Sequence, residues 1–583
     1  MIPIVSIIEV INAFVWGPWM MVFLVGTGVW LTFGTGLVQF RKLGFAWKML
    51  YRSVRGKDLE DDSTPGEITP FQALMMALSA TVGNGNIAGV AAAISIGGPG
   101  APVWMWLTGI FGMATKFAEV VLGIKYRQIQ PDGTIAGGPM YFLEHGLGLK
   151  WTAWLFALFG AIAAFGIGNM VQANSVALVF RTELGVPQWI SGLFLAGMTY
   201  LVIIGGVKRI GHVAEILVPI MLLIYIAGGL TLILMRISEV PAAFHLIFDS
   251  AFNGQAAVGG FAGAGVSQAL RYGVARGIFS NEAGLGTASI AHGAARVREP
   301  VRQGSIAMLG VFIDTMIVNT ITTLAIVLSG VWTTGLTSTA LTAKGFTTVL
   351  GPLGGWIVAF GSITFGYSTL LTWSYYGLSC VNYISGVRAS LIYRWAWCIV
   401  IVIGALFSSD LLWVKFVWDL ADTINGAMAI PNLIGLLGLS MIVFSDTNVY
   451  FPLGGKKSQT PPSPHNVEGI LDERFLQSRL DSLGMTQMEK YLELFRQTHT
   501  RTIGQIESNW HNQNFDSLRG EAHTLKGAAS ALGMAGLSTL SAKIEELAAQ
   551  ENAGELEIFL DFIRPEFLET LENIEMFFDS KKS

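Results

Sequence analysis

Charge is scarce in this chain. Only 13% of its 583 residues are Asp, Glu, Lys or Arg, against about 25% in an ordinary soluble domain. Cysteine is scarcer still: Cys380 and Cys398 both lie in apolar stretches, so no disulfide framework or thiolate metal site is expected. No Lys or Arg precedes Arg41, and without a basic start no cleavable signal peptide is expected. Nor is there an ATP-binding Gly-rich box, a receiver-type aspartate cluster, or a catalytic constellation outside the tail. An enzyme reading is therefore poor, and the expected class is a secondary transporter with a non-catalytic phosphotransfer domain.

Hydrophobic residues make up 52% of the chain, and 69 residues are glycine. Low charge with abundant glycine and tryptophan is a membrane signature. The charge that exists is divided unevenly. Residues 466–583 hold 20 of the 40 acids and 11 of the 36 bases, a net of −9, which leaves +5 for residues 1–465. The acidic tail argues against a nucleic-acid partner, which needs a basic surface.

Apolar stretches near or above about 20 residues read as membrane spans. Eleven are expected, at 15–38, 71–97, 101–124, 152–180, 188–206, 213–235, 262–290, 305–330, 353–381, 390–409 and 412–444. The Gly-rich stretch 254–265 before the seventh could be re-entrant. With the N-terminus outside, the cytoplasmic segments carry 17 Lys/Arg and the outside segments 3. A wrong span count would scramble that alternation. The tail then lies in the cytoplasm of a multi-pass protein of the cell (inner) membrane.

Two spans are interrupted by poor helix formers. The second contains Ser79-Ala80-Thr81-Val82-Gly83-Asn84-Gly85-Asn86-Ile87, and the seventh contains Ser280-Asn281-Glu282-Ala283-Gly284-Leu285-Gly286-Thr287. In lipid an opened backbone must find partners, and transporters use such openings to hold substrate and ions. The two breaks are five spans apart, so spans 2–6 and 7–11 form inverted repeats, each opening with a broken helix. Glycines serving only close helix packing are the plainer alternative.

Other polar residues carry two readings. Gln172 and Asn174 in span four hold substrate or bridge helices. Thr369, Thr372 and Trp373 in span nine, at i, i+3, i+4, offer hydroxyls to Na⁺ and an indole wall, or form a packing stripe. Asp314, Lys116 and Glu119 are intramembrane charges. The i, i+3 spacing favours a Lys116–Glu119 ion pair, and Glu282 is expected to bond the open backbone.

Residues Thr81 to Val90, the Gly137-Gly138-Pro139-Met140-Tyr141 loop, Gly166 to Asn174 and Asn281 to Ala288 resemble the alanine or glycine:cation symporter family over roughly 10–450. The resemblance implies an all-α membrane protein of eleven transmembrane helices. They form a five-plus-five inverted repeat (LeuT-like, of the APC superfamily) plus one extra N-terminal helix. It implies Na⁺-coupled import of a small neutral amino acid, alanine or glycine. Substrate-binding candidates are Thr81, Gly83, Asn84, Gly85, Gln172, Asn174, Asn281, Thr369 and Trp373. Sodium-ligand candidates are Thr81, Asn84, Thr369 and Thr372.

After a Pro-rich linker (451–467, with Ser458 to Pro464) the pattern turns amphipathic and helical, near 468–482, 486–510, 513–532, 535–550 and 554–579. In 513–532, Leu518, Leu525 and Leu532 recur every seven residues as a buried stripe. His523 lies on the opposite side, with Lys526 and Gly527 beside it. The imidazole suits attack on an aspartyl phosphate, Lys526 offsets phosphoryl charge, and Gly527 leaves room for a partner. The tail resembles the histidine phosphotransfer domain over 468–583, a soluble helical bundle. Its implied partners are a response-regulator receiver domain or a hybrid histidine kinase. The expected organisation is a transmembrane symporter domain over 1–450, the linker, and this bundle. The rival is an amino-acid sensor that signals through the relay without significant transport.

Overall fold

The computed structural model describes residues 2–56, 66–130, 133–253, 265–407, 411–452, 476–477, 480, 484–532, 534–550 and 553–582. The expected re-entrant stretch, the Pro-rich linker and most of the helix expected at 468–482 lie outside these. The chain forms two compact units, Met1–Leu453 and Gly454–Ser583.

The first unit is almost entirely helical. Among the described residues, seven of its helices are long and apolar enough to cross a membrane, or eight if the bent pair Pro70–Thr81 and Gly85–Gly97 forms one span. Ala101–Lys125, with 25 residues, rises about 37 Å, enough for a hydrocarbon core of about 30 Å. The other three spans expected from sequence fall on the shorter helix Gln188–Ile203, on Val266–Asn281 with Thr287–Gly293, and on the polar-rich Pro352–Ser385. Length and hydropathy do not by themselves make these spans, so the count of eleven is not reached on that criterion.

Local sequence explains where the broken helices start and stop. Thr69 opens the first with a capping box. Its hydroxyl accepts from Gln72 N (3.1 Å), Gln72 Oε1 accepts from Thr69 N (3.0 Å), and Pro70 takes the first helical position. The helix ends at Thr81 and resumes as a π-turn at Gly85–Gly89, with the two halves bent by 47°. The second broken helix stops at Asn281. Glu282 (φ 55°), Gly284 (φ 94°) and Gly286 (φ 83°) then carry left-handed backbone before Thr287 restarts it. Glycine adopts this freely; Glu282 does so only because its surroundings hold it.

The segment just before the first broken helix is stitched to the end of the second. Glu67 N donates to Ala294 O (2.8 Å) and Arg296 N to Ile68 O (2.7 Å). The Arg127 guanidinium reaches the carbonyls of Gly293, Ala295 and Val297. The short ribbon Gln128–Ile129 with Ile135–Ala136 precedes the Gly137–Tyr141 loop. Three connecting helices, Leu43–Val54, Val240–Phe252 and Ser338–Leu350, were not expected from the sequence. Each is too short to register as a span, and its amphipathic pattern blends into the loops.

The second unit contains helices Met485–His511, Phe515–Ala531, Ala535–Ala549 and Ala553–Lys582. Asn514 caps the second of these by accepting from Ser517 N at 3.2 Å. Leu518, Ala522, Leu525 and Ala529 are fully buried against Ile506, Leu540, Ile544 and Ile563, while Leu532 is half-buried. Each buried leucine contributes about 2 kcal/mol.

Candidate functional site

The two breaks meet span nine around one small space. Thr81, Gly83, Gly85, Gln172, Glu282, Thr369, Trp373 and Asn425 line a cavity of about 20 Å³, room for a water but not for an amino acid. A Cβ placed on Gly83 would stand 3.0 Å from Thr369 Oγ1, and one on Gly168 would strike Trp373 at 2.3 Å. Two glycines thus let the opened backbone approach the hydroxyl and let the indole pack.

The candidate residues divide between that space and its supports. Asn84 does not line it. Its amide donates to Gln172 Oε1 (3.0 Å) and its Oδ1 accepts from Ser362 (2.7 Å), tying the break to spans four and nine. Asn174 turns away and donates to Gly404 O and Phe407 O. Asn281 donates to Thr315 Oγ1 (3.1 Å) and accepts from Ala283 N, holding the second break in shape.

The sodium candidates likewise separate. Thr369 Oγ1 shares its hydrogen between Phe365 O of its own helix (2.9 Å) and Ser79 O (3.1 Å), and Thr372 Oγ1 donates to Ser79 Oγ (2.9 Å), so both hydroxyls face Ser79. Thr81 instead bonds back to Ala77 O within its own helix, and Asn84 is engaged as described. Ser79 lies within the motif of the first break, and the sequence alone assigns it no role. Its importance comes from a partner 293 residues away.

Two expectations for the charged residues are overturned. Lys116 and Glu119 do not pair. Glu119 Oε1 accepts from Gly284 N (2.8 Å), Gly286 N (3.0 Å) and Asn432 Nδ2 (2.9 Å), whereas Lys116 Nζ, 2% exposed, has no hydrogen-bond partner among the described residues. The amides freed at the break must be satisfied, and a carboxylate is the strongest available acceptor, so Glu119 turns to them. Glu282, expected to serve that backbone, instead accepts from Trp373 Nε1 (3.2 Å) and Thr287 Oγ1 (2.6 Å). It thereby fixes the indole that walls the cavity. Neither Glu119 nor Asn432 carries a sequence signal for this role beyond being polar in an apolar span.

A larger cavity of about 400 Å³ opens at Glu67, Gln130, Lys208, Asn382 and Arg394 and reaches Ser374 and Tyr375, the residues directly after Trp373. Of these, Glu67, Gln130, Lys208 and Asn382 belong to loops expected in the cytoplasm.

In the tail, His523 is 70% exposed. Its Nδ1 lies 2.8 Å from Glu545 Oε1, and Lys526 Nζ donates to Glu545 Oε2 at 3.1 Å. A Cβ on Gly527 would meet nothing within 4 Å. Glu545, on the neighbouring helix, was invisible in the sequence because 22 residues separate it from His523. Burial pushes the Glu545 carboxyl up, but the hydrogen bonds from His523 and Lys526 and the charge of Lys526 outweigh it and hold the group below the usual carboxylate range. A carboxylate can only accept, so Nδ1 carries a proton in this contact, and of the two neutral tautomers the contact selects the one whose free lone pair is on Nε2.

Two broken helices that meet at a buried polar cavity, in a unit of long apolar helices, are the architecture of a multi-pass secondary transporter. Residues 1–463 match the sodium:alanine symporter family and residues 490–576 match the Hpt domain. The chain is 50% identical over 455 residues to the sodium/alanine symporter AgcS of Methanococcus maripaludis, covering 76% of this chain and 97% of that protein. It is 44% identical over 449 residues to an uncharacterized transporter of Haemophilus influenzae, covering 76% and 96%. The structure of MhsT in complex with L-phenylalanine aligns at a TM-score of 0.43 with 14% identity, over 66% of this chain and 98% of that one, too remote to bear on the site. The chain belongs to the sodium:alanine symporter family. It is a membrane protein for Na⁺-coupled amino-acid symport, with Na⁺ as the co-transported ion and an Hpt domain in its tail.

Proposed function

We propose that this protein imports alanine or glycine with Na⁺, and that its tail accepts a phosphoryl group on His523 from a receiver domain. The transport reading rests above all on the convergence of Gly83, Thr369 and Trp373 on one buried cavity. Thr81, Gly83, Gly85 and Gln172 would hold the substrate. Thr369 and Thr372, around Ser79, would hold Na⁺, a hard cation that favours oxygen ligands. Asn84, Asn174 and Asn281 would keep the helices in register. The cavity is smaller than any amino acid, so binding requires the broken helices to move apart. The wide opening beside Trp373 supports release on the cytoplasmic side.

Proteoliposomes holding the full-length chain should accumulate labelled alanine or glycine when an inward Na⁺ gradient is imposed. They should fail to do so when choline replaces sodium. Tight binding of the amino acid without accumulation would favour the sensor reading instead.

The tail would act as a relay. Lys526 would balance phosphoryl charge, and Gly527 would leave space for the docking partner. The transport unit would occupy 1–450, the linker 451–467 and the bundle 468–583. The N-terminus would lie outside and the tail in the cytoplasm, on the strength of the 17-to-3 asymmetry of basic residues. A cysteine at exposed Ser338 should then react with an impermeant thiol reagent from outside, and one at Ser463 only after permeabilisation. The reverse pattern would overturn the orientation.

A further inference from the structure

The larger cavity, of about 400 Å³, lies within the usual range of small-molecule sites, unlike the space at the breaks. Two cations line it. Lys208 is exposed near the start of helix Gly206–Met235, and Arg394 is half-buried near the start of helix Ser390–Leu406. One carboxylate lines it as well: half-buried Glu67, whose Oε1 accepts from Ile135 N at 3.0 Å. Ile203, Val207 and Leu378 contribute apolar wall. None of these residues was singled out from the sequence.

The polar groups of this cavity are left unsatisfied. Arg394 Nη1 donates to Ile204 O at 3.3 Å, which anchors the guanidinium, but its Nε is buried and has no hydrogen-bond partner among the described residues. The hydroxyl of Tyr393, a lining residue only 5% exposed, is likewise unpartnered there. Buried donors without acceptors are costly. Among the described residues, no ion pair involves Lys208, Arg394 or Glu67. Opposite charges that line one cavity without pairing leave both signs to a ligand that carries both. A free amino acid is such a ligand, with a carboxylate and an ammonium one carbon apart.

We propose that this cavity is a second amino-acid site, distinct from the space at the breaks and filled from the cytoplasmic side. Lys208 and Arg394 take the carboxylate, Glu67 takes the ammonium, and the apolar wall accommodates a small side chain. The cavity reaches Ser374 and Tyr375, directly after Trp373, so its occupant stands across the release path. Imported amino acid, as it accumulates, then slows further import without competing for the space at the breaks. This rests on the reading that release is cytoplasmic, but not on which residues hold substrate during transport.

The test uses the full-length protein in lipid nanodiscs, where both faces meet solvent, with choline in place of sodium. Asn382→Cys puts a thiol on the cavity wall, while the native Cys380 and Cys398 are buried. Alanine should slow the reaction of that thiol with a soluble maleimide in a saturable way. It should do so equally when Gly83→Leu is added, because that change fills only the space at the breaks. Propionate, which lacks the ammonium, should protect far less. Arg394→Gln should raise the alanine concentration for half-protection at least about tenfold, the scale of one charge-assisted hydrogen bond. Glu67→Gln, which keeps an oxygen for Ile135 N, should raise it in the same direction and serves if Arg394→Gln does not fold. Absence of protection, equal protection by propionate, loss of protection with Gly83→Leu, or full protection in both charge variants overturns the proposal. Failure of Na⁺-driven uptake would leave this measurement untouched, so the two readings are separately at risk.

Discussion

A phosphorylated receiver domain should pass its label to the wild-type chain and keep it when His523 is replaced by glutamine. Glutamine preserves size and polarity but has no nucleophilic ring nitrogen, so the expected loss is complete. The labelled wild-type product should be acid-labile, as phosphohistidine is. The other histidines in the described bundle serve as internal controls. His499 is buried against Phe495, and His511 has neither Lys at +3 nor Gly at +4. Label persisting in His523→Gln would remove the assignment.

Glu545 refines that prediction. Its carboxyl is held below its unfolded value, so its contacts with His523 and Lys526 persist above the unfolded carboxylate range and fade as pH falls through the folded value. At neutral pH the carboxylate therefore fixes the Nδ1–H tautomer. Glu545→Gln should slow transfer about tenfold, the rate equivalent of about 1.5 kcal/mol for a lost charge-assisted hydrogen bond. An unchanged rate would show that the tautomer needs no such guard.

The second large effect is expected at Gly83. Gly83→Leu should reduce Na⁺-driven uptake to background while the protein still reaches the membrane. The Cβ alone would press on Thr369 Oγ1 at 3.0 Å, and the remaining three carbons exceed the cavity. Overpacking of this kind costs about 1–3 kcal/mol, which a unit of this size tolerates, so the loss is of function before fold. Gly83→Ala should retain partial uptake, because the Thr369 hydroxyl can give by a few tenths of an ångström. Wild-type uptake in the leucine variant would take the first break out of the transport site.

The character of this protein follows from its sequence. Hydrophobic runs separated by basic loops dictate a multi-pass membrane unit, because lipid leaves few alternatives to helices for a spanning chain. The Gly/Asn runs at 83–86 and the glycines at 284 and 286 dictate where two of those helices open, because local backbone preference acts within a few residues. The seven-residue repeat of Leu518 and Leu525 places His523 on the outside of its helix by period alone.

Tertiary structure decided which polar side chain answers which need. Glu119 and Lys116 are one helical turn apart and read as a pair. The unsatisfied amides at Gly284 and Gly286, more than 160 residues further along the chain, attract the carboxylate instead. Ser79 and Glu545 likewise take their meaning from partners on other helices. Sequence periodicity reports which face of a helix a residue occupies. It is silent on what the fold brings to that face, and in a buried site the deciding free energy lies in satisfying every polar atom that arrives there.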